Sequence, residues 1–295
     1  ALILALSACS SPGIDSPEVA RQRDEGIASE INSLDDLVSG GPPPDGIPSI
    51  DDPQYISVQE ADTWIQDNEL VLAIEYKGIK RVYPLQIMTW HEIVNDNIAG
   101  DPVLITYCPL CGSGIAYERT LDGEAVEFGT SGRLYNSNLV MYDRATTSYW
   151  TQIDGVAILG PKKGEQLTLV DMDTVTWGEW KTIHPDSEVL SRETGHDRNY
   201  GTNPYTNYFS NDFLMFPVEG QSDKLANKDV VYGIEVNGVD KAYPDTLMQG
   251  TIVDEVAGET ITITRQADGR VTFVDGAGET IPKERDFWFA WFAFH

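Results

Sequence analysis

Cys108 and Cys111 lie three residues apart in the run VLITYCPLCGSGIAYER, at the end of an apolar, strand-like stretch. A Cys-Pro-Leu-Cys-Gly turn holds two sulfurs on one side of a tight loop. That arrangement suits three chemistries: a metal ion, a reversible disulfide or a structural staple. Pro after the first cysteine and Gly after the second match a zinc knuckle, in which Gly accepts the positive φ that turns backbone N–H groups toward thiolate. A structural zinc ribbon needs a second cysteine pair, and the sequence has none, so further ligands must be His, Asp or Glu. Soft thiolates combined with imidazole suit zinc or copper, with iron as a third option. The same spacing serves thiol–disulfide oxidoreductases, with Cys108 attacking and Cys111 resolving. Against that use, GSGIAYER reads as a strand, where a helix N-terminus would depress the thiol pKa.

His91 is the nearest candidate partner. It lies in LQIMTWHEIVNDNI, read as a short amphipathic helix just before the strand that delivers Cys108. An imidazole there serves as third metal ligand or as base for a thiol. Glu92 and Asn95 follow as groups to orient it, or as plain helix-surface polar residues. A further dense polar-aromatic cluster is TSGRLYNSNLVMYDRATTSYW. Tyr135, Asp143 and Arg144 form the candidate catalytic set, a rim facing a small-molecule ligand, with Arg133 or Arg144 holding an anionic group. The competing reading is structural: Asn-Ser-Asn is turn chemistry, and Asp143–Arg144 is a local ion pair.

The elements that must position these residues are mostly strands. From Cys108 to about Gly164 the chain alternates in the manner of β-structure, with turns such as LDGE and IDGV evenly placed. Two stretches match without a gap, one from Ile56 and one from Phe216, with Val71/Val231, Gly78/Gly238, Tyr83/Tyr243 and Pro84/Pro244 identical. Trp177, Trp180 and His184 are echoed by Trp288, Trp291 and His295, at a spacing that puts each trio on one helix face. Their expected use is packing. The fold class is therefore α+β and β-rich, mostly antiparallel with a few short helices, built on an internally duplicated module. The first module spans 51–212 and carries the cysteine turn and a β-rich insertion; the second, degenerate copy spans 213–295 and has neither the cysteines nor the histidine. That asymmetry favours a working site over a scaffold element.

The first nine residues read as part of a lipoprotein signal peptide. Leu6-Ser7-Ala8-Cys9 fits a lipobox, which makes Cys9 the lipidation site and the membrane a partner through that lipid. Residues 10–50, acidic and rich in Gly and Pro, read as a tether. The expected location is extracytoplasmic and lipid-anchored, where vicinal thiols are paired, metal-bound or redox-cycling. Twenty Lys+Arg against 47 Asp+Glu gives a net charge of −27, which argues against nucleic acid as a partner because phosphate binding needs clustered cations. There is no phosphate-cradling Gly loop, dinucleotide fingerprint or nucleophile elbow.

Taken together, TWHEIVND, ITYCPLCGSG, SGRLYNSNLVMYDR, TTSYWTQIDGVAILG, TWGEWKTIHP and FWFAWFAFH resemble the exported bacterial and archaeal family catalogued as domain of unknown function 3179. The resemblance covers the chain from about Tyr55 to His295. It groups His91, Cys108, Cys111 and the Tyr135–Arg144 loop and implies no established reaction. Three functions stay open. The first expectation is a transition-metal site of Cys108, Cys111 and His91. The others are a Cys108/Cys111 thiol–disulfide oxidoreductase and a non-catalytic envelope binding or scaffold protein with a structural disulfide.

Overall fold

A computed structural model describes Ile14, Asp15 and residues 30–295. Cys9, the signal segment and the first part of the expected tether lie outside the described residues.

The body is strand-rich, and its strands pair antiparallel almost throughout. In chain order the first are β1 (Val38–Ser39), β2 (Tyr55–Ser57), β3 (Leu70–Tyr76) and β4 (Ile79–Pro84). Helix α1 (Leu85–His91) leads into β5 (Ile93–Ile98), β6 (Asp101–Cys108) and β7 (Ser113–Glu118). A meander follows: β8 (Phe128–Tyr135), β9 (Asn138–Asp143), β10 (Tyr149–Thr151) and β11 (Ala157–Leu159). β1 closes its far edge, giving the order β11-β10-β9-β8-β1. The expectation of β-structure from Cys108 onward is met. Two-residue turns explain the hairpins: Lys77–Gly78 and Asp122–Gly123 have positive φ at both positions, the geometry whose twist matches the flanking strands.

Later come β12 (Asp173–Thr176), α2 (Trp177–Ile183), β13 (Glu188–Leu190), β14 (Val230–Val236) and β15 (Val239–Pro244). β13 supplies a parallel pairing, alongside β4. A three-stranded sheet from β16 (Thr251–Val256), β17 (Glu259–Arg265) and β18 (Val271–Val274) precedes β19 (Lys283–Phe287) and α3 (Trp288–Phe294). The hairpins β3–β4 and β14–β15 share a register, Val71 opposite Pro84 and Val231 opposite Pro244. In each, the hairpin Tyr donates its hydroxyl to a buried Asp: Tyr83 to Asp96 and Tyr243 to Asp254. The connecting element differs, since α1 has only a 3-10 turn, Asp245–Leu247, at the corresponding place, and each segment then enters a further antiparallel hairpin, β5–β6 or β16–β17.

Two expectations change. The run LQIMTWHEIVNDNI is not one helix: α1 stops at His91, Glu92 takes the left-handed conformation (φ 60°), and IVNDNI is strand β5. The stretch assigned to a tether is docked from Glu30 onward. Ile31, Leu37 and Ile50 are buried, β1 pairs with β8, and Asp45 N–H donates to Thr130 O at 2.8 Å. Gly and Pro serve there to wrap the chain along the body. Gly132 (φ 70°) has room for no Cβ, because the Pro42 carbonyl lies 2.0 Å from where one would stand.

The aromatic echoes pack, as expected. Trp177, Trp180, Trp288 and Trp291 are fully buried, and His184 Nε2 meets Asp268 Oδ2 at 2.8 Å. One core joins distant parts of the chain: Cys108, Cys111, Phe128 and Trp150 share it with Phe289, Ala290 and Phe294 of α3.

Candidate functional site

β6 and β7 form a hairpin in which Cys108 opposes Ser113, and the loop between them is Pro109-Leu110-Cys111-Gly112. Cys111 N–H closes the turn onto Cys108 O at 3.2 Å. Gly112 is required twice: its φ is 62°, and a Cβ would stand 2.8 Å from the Phe287 ring. The N–H of Phe287 donates to Cys111 O at 2.8 Å, so β19 is tied to the turn.

Both cysteines are buried free thiols. They lie close together, with Cys111 hydrogen-bonded to Cys108. The tip of the β8–β9 hairpin faces them. Asn136 and Ser137 both have positive φ, which turns the Ser137 carbonyl toward the sulfurs, 3.9 Å from Cys108 Sγ and 3.6 Å from Cys111 Sγ. Asn138 Nδ2 points at Cys111 Sγ from 3.5 Å. Its amide is locked, Nδ2 donating to Gln152 Oε1 at 2.8 Å and Oδ1 accepting from Gln152 N–H at 3.0 Å. Gln152 in turn donates to Thr106 Oγ1 at 3.0 Å. The Asn-Ser-Asn sequence is thus turn chemistry that also builds the thiol environment.

Burial pushes the Cys111 thiol well up, assisted by Cys108 and by the carboxyl of Asp286; Asn138 opposes the shift. Asp286, on β19, is fully buried; neither oxygen meets a donor in full hydrogen-bond geometry, and a looser contact from the Ser113 side chain acts on the carboxyl. Desolvation raises its carboxyl well above the carboxylate range, with Glu284 adding to the effect; Ser113 and Arg285 pull the other way. Such burial favours the neutral carboxyl over the carboxylate. Sequence reasoning missed Asp286, whose one signal is an acid set at the head of the apolar run FWFAWFAF.

Cys108 lines a cavity of about 130 Å3 together with Glu92, Tyr205, Leu110 and Arg133. Glu92 is fully buried there, and desolvation lifts its carboxyl to about 7 while the Tyr205 hydroxyl, donating at 3.1 Å, holds it back. Glu92 is therefore the titrating side chain that α1 brings to the cysteine turn.

His91 is placed elsewhere. Its Nδ1 meets Pro48 O at 2.7 Å and its Nε2 meets the Tyr200 hydroxyl at 2.6 Å, so neither ring nitrogen is open to a metal. Burial lowers its pKa to about 4, and the ring bolts the 44–50 segment and the Tyr200 loop to α1. Among the described residues no three His, Cys, Asp or Glu side chains converge on one point. The expected set of Cys108, Cys111 and His91 is corrected to a pair of sulfurs. Asn95 orients nothing at His91; it staples β5 to β8 through Phe128 O and N–H, both at 2.8 Å.

The expected catalytic trio is not assembled either. Tyr135 sits opposite Asn138 at the tip of the β8–β9 hairpin, whereas Asp143 ends β9 opposite Phe128. Five strand residues separate the two levels by roughly 17 Å. Asp143 is saturated by Thr146 N–H and hydroxyl, Ser148 N–H and Trp150 Nε1. Arg144 clamps the N-terminal wrap through Asp51 at 2.7 Å, Glu127 at 2.8 Å and Ser49 at 2.9 Å. Tyr135 donates to Glu30 at 3.1 Å and packs edge-on against Phe294. Turn chemistry describes Asn136–Asn138, but the expected local Asp143–Arg144 ion pair is not formed: Asp143 is held by its own turn and Arg144 pairs with Asp51 and Glu127.

No helix among the described residues is long and apolar enough to cross a membrane. No curated protein and no solved structure matches the chain. A family model does, over residues 44–277, which takes in the wrap, the cysteine turn, Glu92 and the β8–β9 hairpin: the chain belongs to the family described as protein of unknown function DUF3179.

Proposed function

We propose that this protein is a thiol–disulfide redox protein whose working group is the Cys108/Cys111 dithiol. The observation that carries the reading is the juxtaposition of two free, buried thiols on one turn, with Cys108 lining a cavity. Glu92 in that cavity, with a carboxyl near neutrality, accepts the Cys108 proton, and Cys108 sulfur attacks one sulfur of a small disulfide. The partner thiolate leaves and takes up a proton. Cys111 then attacks Cys108 sulfur, and the second substrate thiolate leaves with the proton of Cys111. In balance, one disulfide and two protein thiols become two small thiols and the Cys108–Cys111 disulfide. A dithiol reductant returns the pair to its starting state.

The test is redox titration of the purified protein against glutathione and dithiothreitol buffers, read by thiol trapping and mass spectrometry. The expected result is a reversible two-electron transition with a midpoint between about −180 and −300 mV, abolished by Cys108→Ser or Cys111→Ser. Thiols that stay reduced in the folded protein across that range sink the reading.

A second reading keeps a metal. Two sulfurs and the Ser137 carbonyl face one point, and a two-coordinate soft ion such as copper(I) needs no third side chain. Zinc or iron would require ligands that the described residues do not bring there. Stoichiometric copper(I) that shields both thiols from alkylation supports this reading over the first.

The proposal includes an extracytoplasmic location with lipid on Cys9, supported by the Leu6–Cys9 sequence alone. Metabolic acyl labelling that survives Cys9→Ala removes it. The division into a first module and a degenerate second copy is likewise proposed, on the shared register of β3–β4 and β14–β15.

A further inference from the structure

On the face of β19 away from Asp286 lies a second and larger cavity, of about 470 Å3, within the range of small-molecule sites. Alternation along the strand puts Arg285 and Phe287 in its wall, while Asp286 between them faces the thiols. Leu70, Leu85, Phe209 and Val230 add apolar lining, and Thr202 and Asn203 stand at its polar side. Tyr107 and Gly112 carry the wall to the cysteine turn.

Arg285 is the unusual member. Its Nε is buried and has no hydrogen-bond partner. Among the described residues no carboxylate lies within ion-pair distance of its guanidinium, although the chain holds 47 Asp+Glu against 20 Lys+Arg. The other charged group in the cavity wall, Glu69, is already engaged, by Gln66 N–H at 2.9 Å and Gln86 Nε2 at 2.9 Å. A guanidinium offers donors in a planar fork that fits a carboxylate. The residue is half-buried: its Nε is shut off from water without a partner, while the rest of the fork is left for an anion entering the cavity.

We propose that this cavity is a binding site for a small organic acid, its carboxylate on Arg285 and its apolar body against Leu85, Phe209 and Phe287. The site is separate from the Cys108 cavity and stands whether or not the dithiol cycles.

Phenylacetate is a suitable probe, with phenylacetamide as its uncharged counterpart. Binding is read by saturation-transfer NMR and by the fluorescence of Trp90, whose Nε1 donates to Thr202 O beside the site at 3.1 Å. Phenylacetate is expected to bind saturably, and phenylacetamide about tenfold or more weakly. Arg285→Gln should weaken phenylacetate by a similar factor and leave phenylacetamide unchanged. Thr89→Glu, which puts a carboxylate in the cavity wall without touching β19, should repel phenylacetate in the same way and covers the case in which the Arg285 variant does not fold. Equal affinity for acid and amide, no saturable binding of phenylacetate at about 10 mM, or phenylacetate affinity unchanged in both variants would each overturn the proposal.

Discussion

Phe287 donates its backbone N–H to the carbonyl of Cys111 at 2.8 Å, which fastens the strand bearing Arg285 and Asp286 to the cysteine turn. The two residues lie 176 positions apart in the chain (287 − 111), and each depends on the other's geometry.

Asp286 is expected to be a neutral acid in the folded protein. Its folded pKa is raised, so the stability it contributes is full below the unfolded value of 3.8 and is lost as pH rises through the folded pKa. Asp286→Asn, an uncharged isostere, should match wild type near pH 4 and exceed it by about 1–3 kcal/mol at pH 8 and above. Urea denaturation at the two pH values measures this, and a variant destabilised equally at both would show that the carboxylate has a partner.

His91 and Glu92, adjacent in sequence, should tilt stability in opposite directions. His91 has a depressed pKa of about 4, so its contribution is present above 6.5 and is lost as pH falls toward 4. Glu92 has a raised pKa of about 7, so its contribution is full below 4.5 and is lost as pH rises through 7. Glu92→Gln should remove up to about 3 kcal/mol of the loss between pH 4.5 and 8. If thermal melts show that slope unchanged in Glu92→Gln, the burial assigned to this carboxyl is wrong.

Arg144 is expected to be a clamp. Its side chain is 29% exposed, so Arg144→Ala should cost about 1 kcal/mol, less in high salt. The dithiol midpoint should stay within about 30 mV of wild type. A larger shift returns Arg144 to the working site.

Gly112→Ala forces a Cβ into the Phe287 ring at a left-handed position, and a loss of about 2 kcal/mol follows from the strain and overpacking together. An unfolding midpoint equal to wild type would mean the turn and ring separate readily.

Much of the fold was legible because hairpins announce themselves locally. Lys77–Gly78, Asp122–Gly123 and Asn237–Gly238 sit between alternating runs and form the turns their chemistry demands. The spread of Tyr135 from Asp143 was legible too: Asn136–Ser137 marks the hairpin tip, and period two then carries Asp143 to the far end. His91 and Glu92 were not. Which of two neighbours enters a cavity depended on where α1 stops, and a left-handed non-glycine residue gives no composition cue. Asp286 and Arg285 were hidden for another reason, since the partner that gives them meaning lies in a distant part of the chain. The Gly/Pro-rich N-terminal stretch misled because flexible composition and an ordered wrap use the same residues.

The shared core has a consequence for how the protein is made. The thiols lie roughly 180 residues upstream of the strand and helix that cover them, a contact order that places their enclosure late in folding. A chain emerging from its N-terminus therefore carries two open thiols until residues 283–294 have arrived. Oxidation during that interval would staple the turn before β19 can dock on it. The cysteine turn would then be sensitive to the timing of synthesis relative to the surrounding oxidant, with residues 283–294 as its shield.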